Sequence, residues 1–351
     1  KWSEIVGVTF SRVGDDPWPI LDLADGAEGP KLLASDAHTL ARALTASAAR
    51  HSTPEKVIAT ARSLRRAELA RIGCADILGM LDVEDVGERL TTLWNSVIEA
   101  ALSAVITNSL PEDGKAPAAV AVISMGRLGG HEQSYGSDAD VLFVCRAAEG
   151  IEDEVAIKWA TSVCENMRKL LGTPSSDPPL DVDADLRPEG RSGPLVRTLG
   201  SYRAYYEKWA EVWELQSLLR ASVCAGDTDL AIDYLHMIDE FRYPADGVPE
   251  KSVLAIRRMK ARVDTERLPR GANRSTHTKL GRGGLADVEW TVQLLTMQSA
   301  SRVEGLHTTS TLEALAAAAS AELVSESDAE DLRASWTMAA RVRNALVLVR
   351  G

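Results

Sequence analysis

The sequence predicts a helix-rich α+β protein, with a small mixed sheet flanked by an N-terminal helical region and a C-terminal helical bundle. Three observations carry this. Aromatic residues make up only 5% of the chain, few for an all-β sandwich or barrel. Apolar residues recur every three or four positions over most of the 351 residues. Three short strand-like segments interrupt that period, all between residues 118 and 186.

Residues 1–35 read as irregular, because Pro17, Pro19, Gly26, Gly29 and Pro30 lie close together. From Ser35 to Leu110 the period is helical, clearest in Val86, Leu90, Leu93, Val97, Ala101 and Val105. Asp82 or Asp85 suits an N-cap. Pro111 to Pro117 is a polar linker. Ala118 to Met125 is a short apolar run, the pattern of a buried strand, and Gly126 to Gly136 is glycine-rich. Asp138 to Cys145 is a second strand. Glu152 to Leu171 is a helix with Val155, Trp159, Val163, Met167 and Leu170 on one face. Leu180 to Leu186 alternates strictly and predicts a third strand whose one face is Asp181, Asp183 and Asp185. From Ser201 onward every segment reads as helical: 201–224, 228–240, 250–267, 285–301, 309–323 and 327–349. The domain boundaries expected are 1–117, 118–245 and 246–351.

Charge and composition narrow the function classes. The net charge of -12 argues against a nucleic-acid-binding surface. No run approaches the roughly 18 consecutive apolar residues of a membrane span. Residues 250–282 reverse the sign, with ten Lys or Arg against three acids. Arg257, Arg258, Lys260 and Arg262 are expected on one helix there, meeting a polyanion or forming a solvated face. Cys74, Cys145, Cys164 and Cys224 form no C-x-x-C pair and read as free thiols of a reducing, cytoplasmic compartment. The chain starts at Lys1 and ends within a helical pattern, as a piece of a longer polypeptide would.

The chemistry concentrates in Met125-Gly-Arg-Leu-Gly-Gly-His-Glu-Gln-Ser-Tyr-Gly-Ser-Asp-Ala-Asp-Val-Leu-Phe143. On a strand, Asp138 and Asp140 point to one face. Two such carboxylates repel unless a cation sits between them, and a hard divalent cation takes oxygen ligands. One of Asp181, Asp183 and Asp185 would complete a two-metal site. Gly129 and Gly130 are expected to let backbone N–H groups approach a phosphate.

Gly-Gly, Asp-x-Asp and a later Asp, in that order, resemble the DNA-polymerase-β-like nucleotidyltransferase superfamily. Gly126-Arg-Leu-Gly-Gly-His-Glu, Tyr135-Gly-Ser-Asp-Ala-Asp140 and Val182-Asp-Ala-Asp-Leu-Arg-Pro-Glu-Gly190 resemble, more narrowly, the bifunctional glutamine synthetase adenylyltransferase/adenylyl-removing family. So do Ser192-Gly-Pro-Leu-Val196, Trp213-Glu-Leu-Gln216 with Leu219-Arg220, and Lys279-Leu-Gly-Arg-Gly-Gly-Leu-Ala-Asp-Val-Glu-Trp290. Arg127 departs from the commoner Lys, and Asp185 is an extra acid.

The resemblance implies a Mg²⁺-dependent nucleotidyltransferase fold, with Asp138, Asp140 and Asp183 as catalytic metal ligands. It implies Gly129, Gly130, Ser137 and Arg187 against the phosphates of ATP, glutamine synthetase as protein substrate, and the PII signal protein as a further partner. Tyr135-Gly136-Ser137 and Trp213-Glu-x-Gln resemble the half that adds AMP to a tyrosine; the alternatives are the phosphorolytic half, a non-catalytic regulatory module and a polynucleotide-tailing enzyme. Among other conspicuous residues, His131 reads as a turn cap or a nucleotide contact, and His277 as a structural or phosphate-facing loop residue. Trp209 and Trp213 read as core. Asp287 and Glu289 suit the first turn of a helix whose N-terminus follows the Lys279 loop.

Overall fold

The computed structural model describes residues 37–175, 177 and 180–350; the irregular N-terminal segment predicted over 1–35 lies outside them. Three helices come first: α1 (Ala37–Ala48), α2 (Pro54–Ile77) and α3 (Val83–Asn108). Pro54 opens α2, where its missing N–H costs no intrahelical bond. The Asp82 side chain accepts from the Asp85 N–H at 2.8 Å and starts α3, as predicted. By length and composition α3 is apolar enough to cross a membrane, but 67% of its most apolar window is buried in the protein. It is a core helix, packed on α1, α2 and the sheet.

The sheet is built from β1 (Ala118–Ser124), β2 (Ala139–Ala147), β3 (Val182–Asp183), β4 (Val196–Thr198) and β5 (Ser222–Gly226). Its order is β3-β2-β1-β5, with β4 also pairing with β2. β1 runs antiparallel to β2 and β5, whereas β3 and β4 run parallel to β2. β3 takes the start of β2, at Ala139 and Asp140, and β4 takes Phe143 to Cys145. Both faces are covered, which is why β1 and β2 read as continuous apolar runs. Val120, Val122, Val141 and Phe143 pack toward α3 and α5 (Asp153–Leu171). Ala121, Ile123, Leu142 and Val144 pack toward α6 (Leu199–Lys208) and α8 (Thr228–Arg242), where Tyr202 and Tyr234 are fully buried. The Tyr202 hydroxyl donates to the Phe143 carbonyl at 3.1 Å, so its polar end is satisfied.

Between and beyond these lie α4 (Gly126–Gly129), α7 (Val212–Ser217), α9 (Glu250–Glu266), α10 (Leu285–Ser299), α11 (Thr311–Ser320) and α12 (Glu326–Arg350). α10, α11 and α12 share their own core, around Val288, Leu312, Leu315 and Trp336.

Three sequence expectations are corrected. The helix over 201–224 is two helices and a strand: a reciprocal Glu211–Glu214 capping box restarts the chain at α7, and Ser222–Gly226 pairs with β1. The strand over 180–186 is ordered as a strand only at Val182 and Asp183. The Asp183 carboxylate accepts from the Asp185 N–H at 2.7 Å, and this local turn withdraws the chain from the sheet. On α5 the buried stripe is Ala156, Ala160, Val163, Cys164, Met167 and Leu171, while Val155 is exposed. All four cysteines are free, as expected.

Candidate active site

The site forms where β1 ends and β2 begins. The Met125 N–H donates to the Asp140 carbonyl at 2.8 Å, locking the glycine turn to the Asp-x-Asp segment. Gly126 has φ +54, and a Cβ there would collide with the Asp140 carboxylate. Only glycine suits both demands. Asp140 and Asp183 are register partners on the parallel strands β2 and β3. Asp138, two residues earlier, opens β2, and its carbonyl accepts from Gln133 Nε2 at 2.9 Å.

These carboxylates repel one another. Desolvation, then Asp183 and Asp138, push the Asp140 carboxyl up to about 6 from 3.8, against the pull of Lys279. Desolvation, with Asp181 and Asp183, also raises Asp138. An oxygen-only donor set that is electrostatically strained in this way fits a hard divalent cation. Among the described residues, no three His, Cys, Asp or Glu side chains are already drawn together as a metal cluster.

Asp138 stands between two cavities. One, of about 360 Å³, is lined by Asp138, Asp140, Ser137 and Gly126 together with Arg127, Lys279, Arg343 and Glu289. The second, of about 510 Å³, is lined by Asp138, Asp181, Asp183, Asp185, Arg187 and Arg191. In the first, Arg127 pairs with Glu289 at 3.3 Å. Desolvation, then Arg127 and Arg343, hold the Lys279 ammonium below its usual pKa. Desolvation and Arg127 do the same to Arg343. Crowded cations and crowded carboxylates lining one cleft make the environment a metal–polyphosphate would relieve.

Residues 10–237 match the family model of glutamate-ammonia ligase adenylyltransferase. The chain belongs to that family. Residues 257–351 match a second family model, GlnD PII-uridylyltransferase. The chain is 61% identical over 339 residues to the bifunctional glutamine synthetase adenylyltransferase/adenylyl-removing enzyme of Mycobacterium avium, covering 95% of this chain and 34% of the relative. The proteins of the same name from Mycobacterium tuberculosis and Mycobacterium leprae are 61% and 59% identical over 335 residues. The chain thus spans about a third of the length of these relatives.

Set against the residues that the family resemblance singled out, the structure brings Asp138, Asp140 and Ser137 into one cleft and places Asp183 in the adjoining cavity. Of the other three, Gly129 and Gly130 lie outside that cleft and Arg187 lines the cavity that holds Asp183. A Cβ at Gly129 would meet the Arg220 and Ser124 carbonyls, and one at Gly130 the Arg220 guanidinium. Their small size permits this close packing, and Gly126 is the turn glycine that lines the cleft. Arg187 is buried, and its guanidinium donates to the Gly193, Ala184 and Arg191 carbonyls. It buckles the loop after β3.

Arg220 is 5% exposed and bridges Glu132, Thr311 and Glu289, tying the glycine turn to the C-terminal bundle. Tyr135 donates to the Asp76 carboxylate at 3.0 Å, tying the same turn to α2. His131 lies away from the cleft, at φ +59 and 3.1 Å from Glu88, and His277 Nδ1 accepts from the Leu280 N–H. Trp209 is not core; it is 74% exposed. Trp213 is only half-buried and lines the cleft. In the basic segment, Lys260 pairs with Asp264 and Asp287 and Arg262 with Glu266, while Arg257 and Arg258 are exposed on α9. Sequence reasoning missed Arg343, one of several arginines on α12, because nothing local marks it.

Proposed function

We propose that this chain carries an adenylyltransferase site that moves AMP from ATP to a tyrosine hydroxyl of glutamine synthetase and releases pyrophosphate. The observation that carries it is that Asp140 and Asp183 are register partners, with Asp138 two residues before Asp140, while Asp138 and Asp140 share a cleft with Arg127, Lys279 and Arg343. Asp138, Asp140 and Asp183 would hold Mg²⁺, which supplies charge neutralisation at the α-phosphate. The new bond joins the phenolic oxygen to the α-phosphorus; the bond to the bridging oxygen of pyrophosphate breaks. A free phenol titrates near 10, so its proton needs an acceptor at neutral pH. Asp183, the register partner of Asp140 in the adjoining cavity, is the carboxylate we assign to take it. Arg127, Lys279 and Arg343 offset the charge that develops on the leaving pyrophosphate.

Tyr135-Gly136-Ser137 and Trp213-Glu-Leu-Gln216 favour the adding direction. The relatives' bifunctional name supports a second reading, phosphorolysis of AMP-tyrosine, and the PII-uridylyltransferase match supports a PII-type signal protein as regulator. Two assays separate the directions. With labelled ATP, Mg²⁺ and unmodified glutamine synthetase, the first reading predicts labelled protein and pyrophosphate. With phosphate and AMP-modified glutamine synthetase, ADP release without forward labelling would reverse the assignment.

A further inference from the structure

The wall of the cleft away from the carboxylates is built from two short repeats of one pattern. α7 carries Trp213-Glu-Leu-Gln216 and α10 carries Trp290-Thr-Val-Gln293. On a helix, residues three apart share a face, so each helix offers one indole and one amide to the same side. All four side chains line the cleft. The two helices meet through these amides: Gln216 Nε2 donates to Gln293 Oε1 at 2.7 Å. That bond fixes which end of the Gln216 amide is left over. Gln216 is 2% exposed, and its Oε1 is a buried acceptor without a partner. A buried unsatisfied carbonyl oxygen is costly, and Gln216 is among the residues lining the cleft a ligand would enter.

Resting on the reading of this cleft as a nucleotide site, we propose that Gln216, oriented by Gln293, selects adenine by accepting a hydrogen bond from its exocyclic 6-amino group, with Trp213 and Trp290 framing the purine. The phosphates then lie toward Arg127, Lys279 and Arg343. Adenine offers an amino donor at position 6, whereas hypoxanthine and guanine offer a carbonyl oxygen that would face the Gln216 oxygen. Unsubstituted purine offers neither and leaves Gln216 unpaired. Nothing in the transfer chemistry needs a particular base, so this is a selectivity device separate from the carboxylates.

The test is equilibrium binding of the Mg²⁺ complexes of ATP, inosine triphosphate and purine riboside triphosphate, without protein substrate. The wild-type chain binds ATP at least roughly tenfold tighter than the other two, the scale of one buried hydrogen bond gained against one acceptor left unpaired. Gln216→Met, of similar length, weakens ATP by about that factor, leaves purine riboside triphosphate nearly unchanged and brings their ratio toward one. Gln293→Met keeps Gln216 but frees its amide to rotate, and it lowers the same ratio; it carries the test if Gln216→Met fails to fold. Asp140→Asn, by contrast, weakens all three nucleotides by a common factor. Equal wild-type affinities for the three nucleotides, or a ratio that survives both substitutions, would overturn the selectivity assignment alone. If no nucleotide binds at all, the reading of the cleft falls and the inference falls with it.

Discussion

Replacing Asp140 by Asn removes activity and, without metal, makes the protein more stable. An ionised Asp140 is crowded by Asp183 and Asp138 in a poorly solvated corner, and its carboxyl rises from 3.8 to about 6. One unit of pKa corresponds to about 1.4 kcal/mol, so keeping this group ionised costs on the order of 3 kcal/mol at most. Residual solvent access reduces that to about 1–3 kcal/mol. The amide keeps the shape and discards the charge, so in EDTA at neutral pH Asp140→Asn melts roughly 1–4 °C above wild type. The sign follows from linkage. The folded-state pKa is raised, so the penalty is full above about 6 and is relieved as pH falls through that value toward 4. The melting gap between the two proteins closes over that window. Added Mg²⁺ reverses the order. At a hundredfold excess over its Kd it stabilises the wild type by about 2.7 kcal/mol, whereas the variant has lost a ligand and responds weakly. Differential scanning fluorimetry in EDTA and in Mg²⁺ reads all of this. An Asp140→Asn protein that melts below wild type in EDTA, or an equal Mg²⁺ shift in both, would refute the reasoning.

Gly126→Ala should cost about 1–3 kcal/mol and nearly all transfer, because it combines left-handed backbone with a clash on Asp140, while Gly150→Ala, also at positive φ but in open space, keeps activity; melting and turnover of the pair check this. Among Asp181→Ala, Asp183→Ala and Asp185→Ala, Asp183→Ala should lose the most turnover, since Asp183 registers with Asp140 while Asp185 is held by Arg191 and Arg187; side-by-side rates decide the order. Arg343→Ala should raise the KM for ATP by roughly tenfold or more with little change in melting temperature, the size of one lost charged hydrogen bond, and steady-state kinetics measure it.

Much of the core was legible because its signals are local. Unbroken apolar runs at 118–123 and 141–145 announce strands buried on both faces, and Gly126 with Asp138-x-Asp140 marks the turn between them. β5 was not legible. Ser222–Gly226 is five residues inside a helical stretch, and only pairing with β1, about a hundred residues earlier, makes it a strand. The alternation of Leu180 to Leu186 overstated β3, because an Asp side chain competed for the backbone. The close packing of Gly129 and Gly130 against Arg220, about ninety residues away, has no local signature. Arg343, Trp290 and Gln293 reach the cleft only because α10 and α12 fold over it, a tertiary fact without a local signature.

The central claim is that the carboxylates of β2 perform the transfer. Its most direct test is mass spectrometry of glutamine synthetase after incubation with ATP, Mg²⁺ and either the wild-type chain or a folded Asp138→Asn/Asp140→Asn double variant. The account predicts a mass gain of one AMP on a tyrosine with the wild type and none with the variant. An equal gain with both proteins would contradict it.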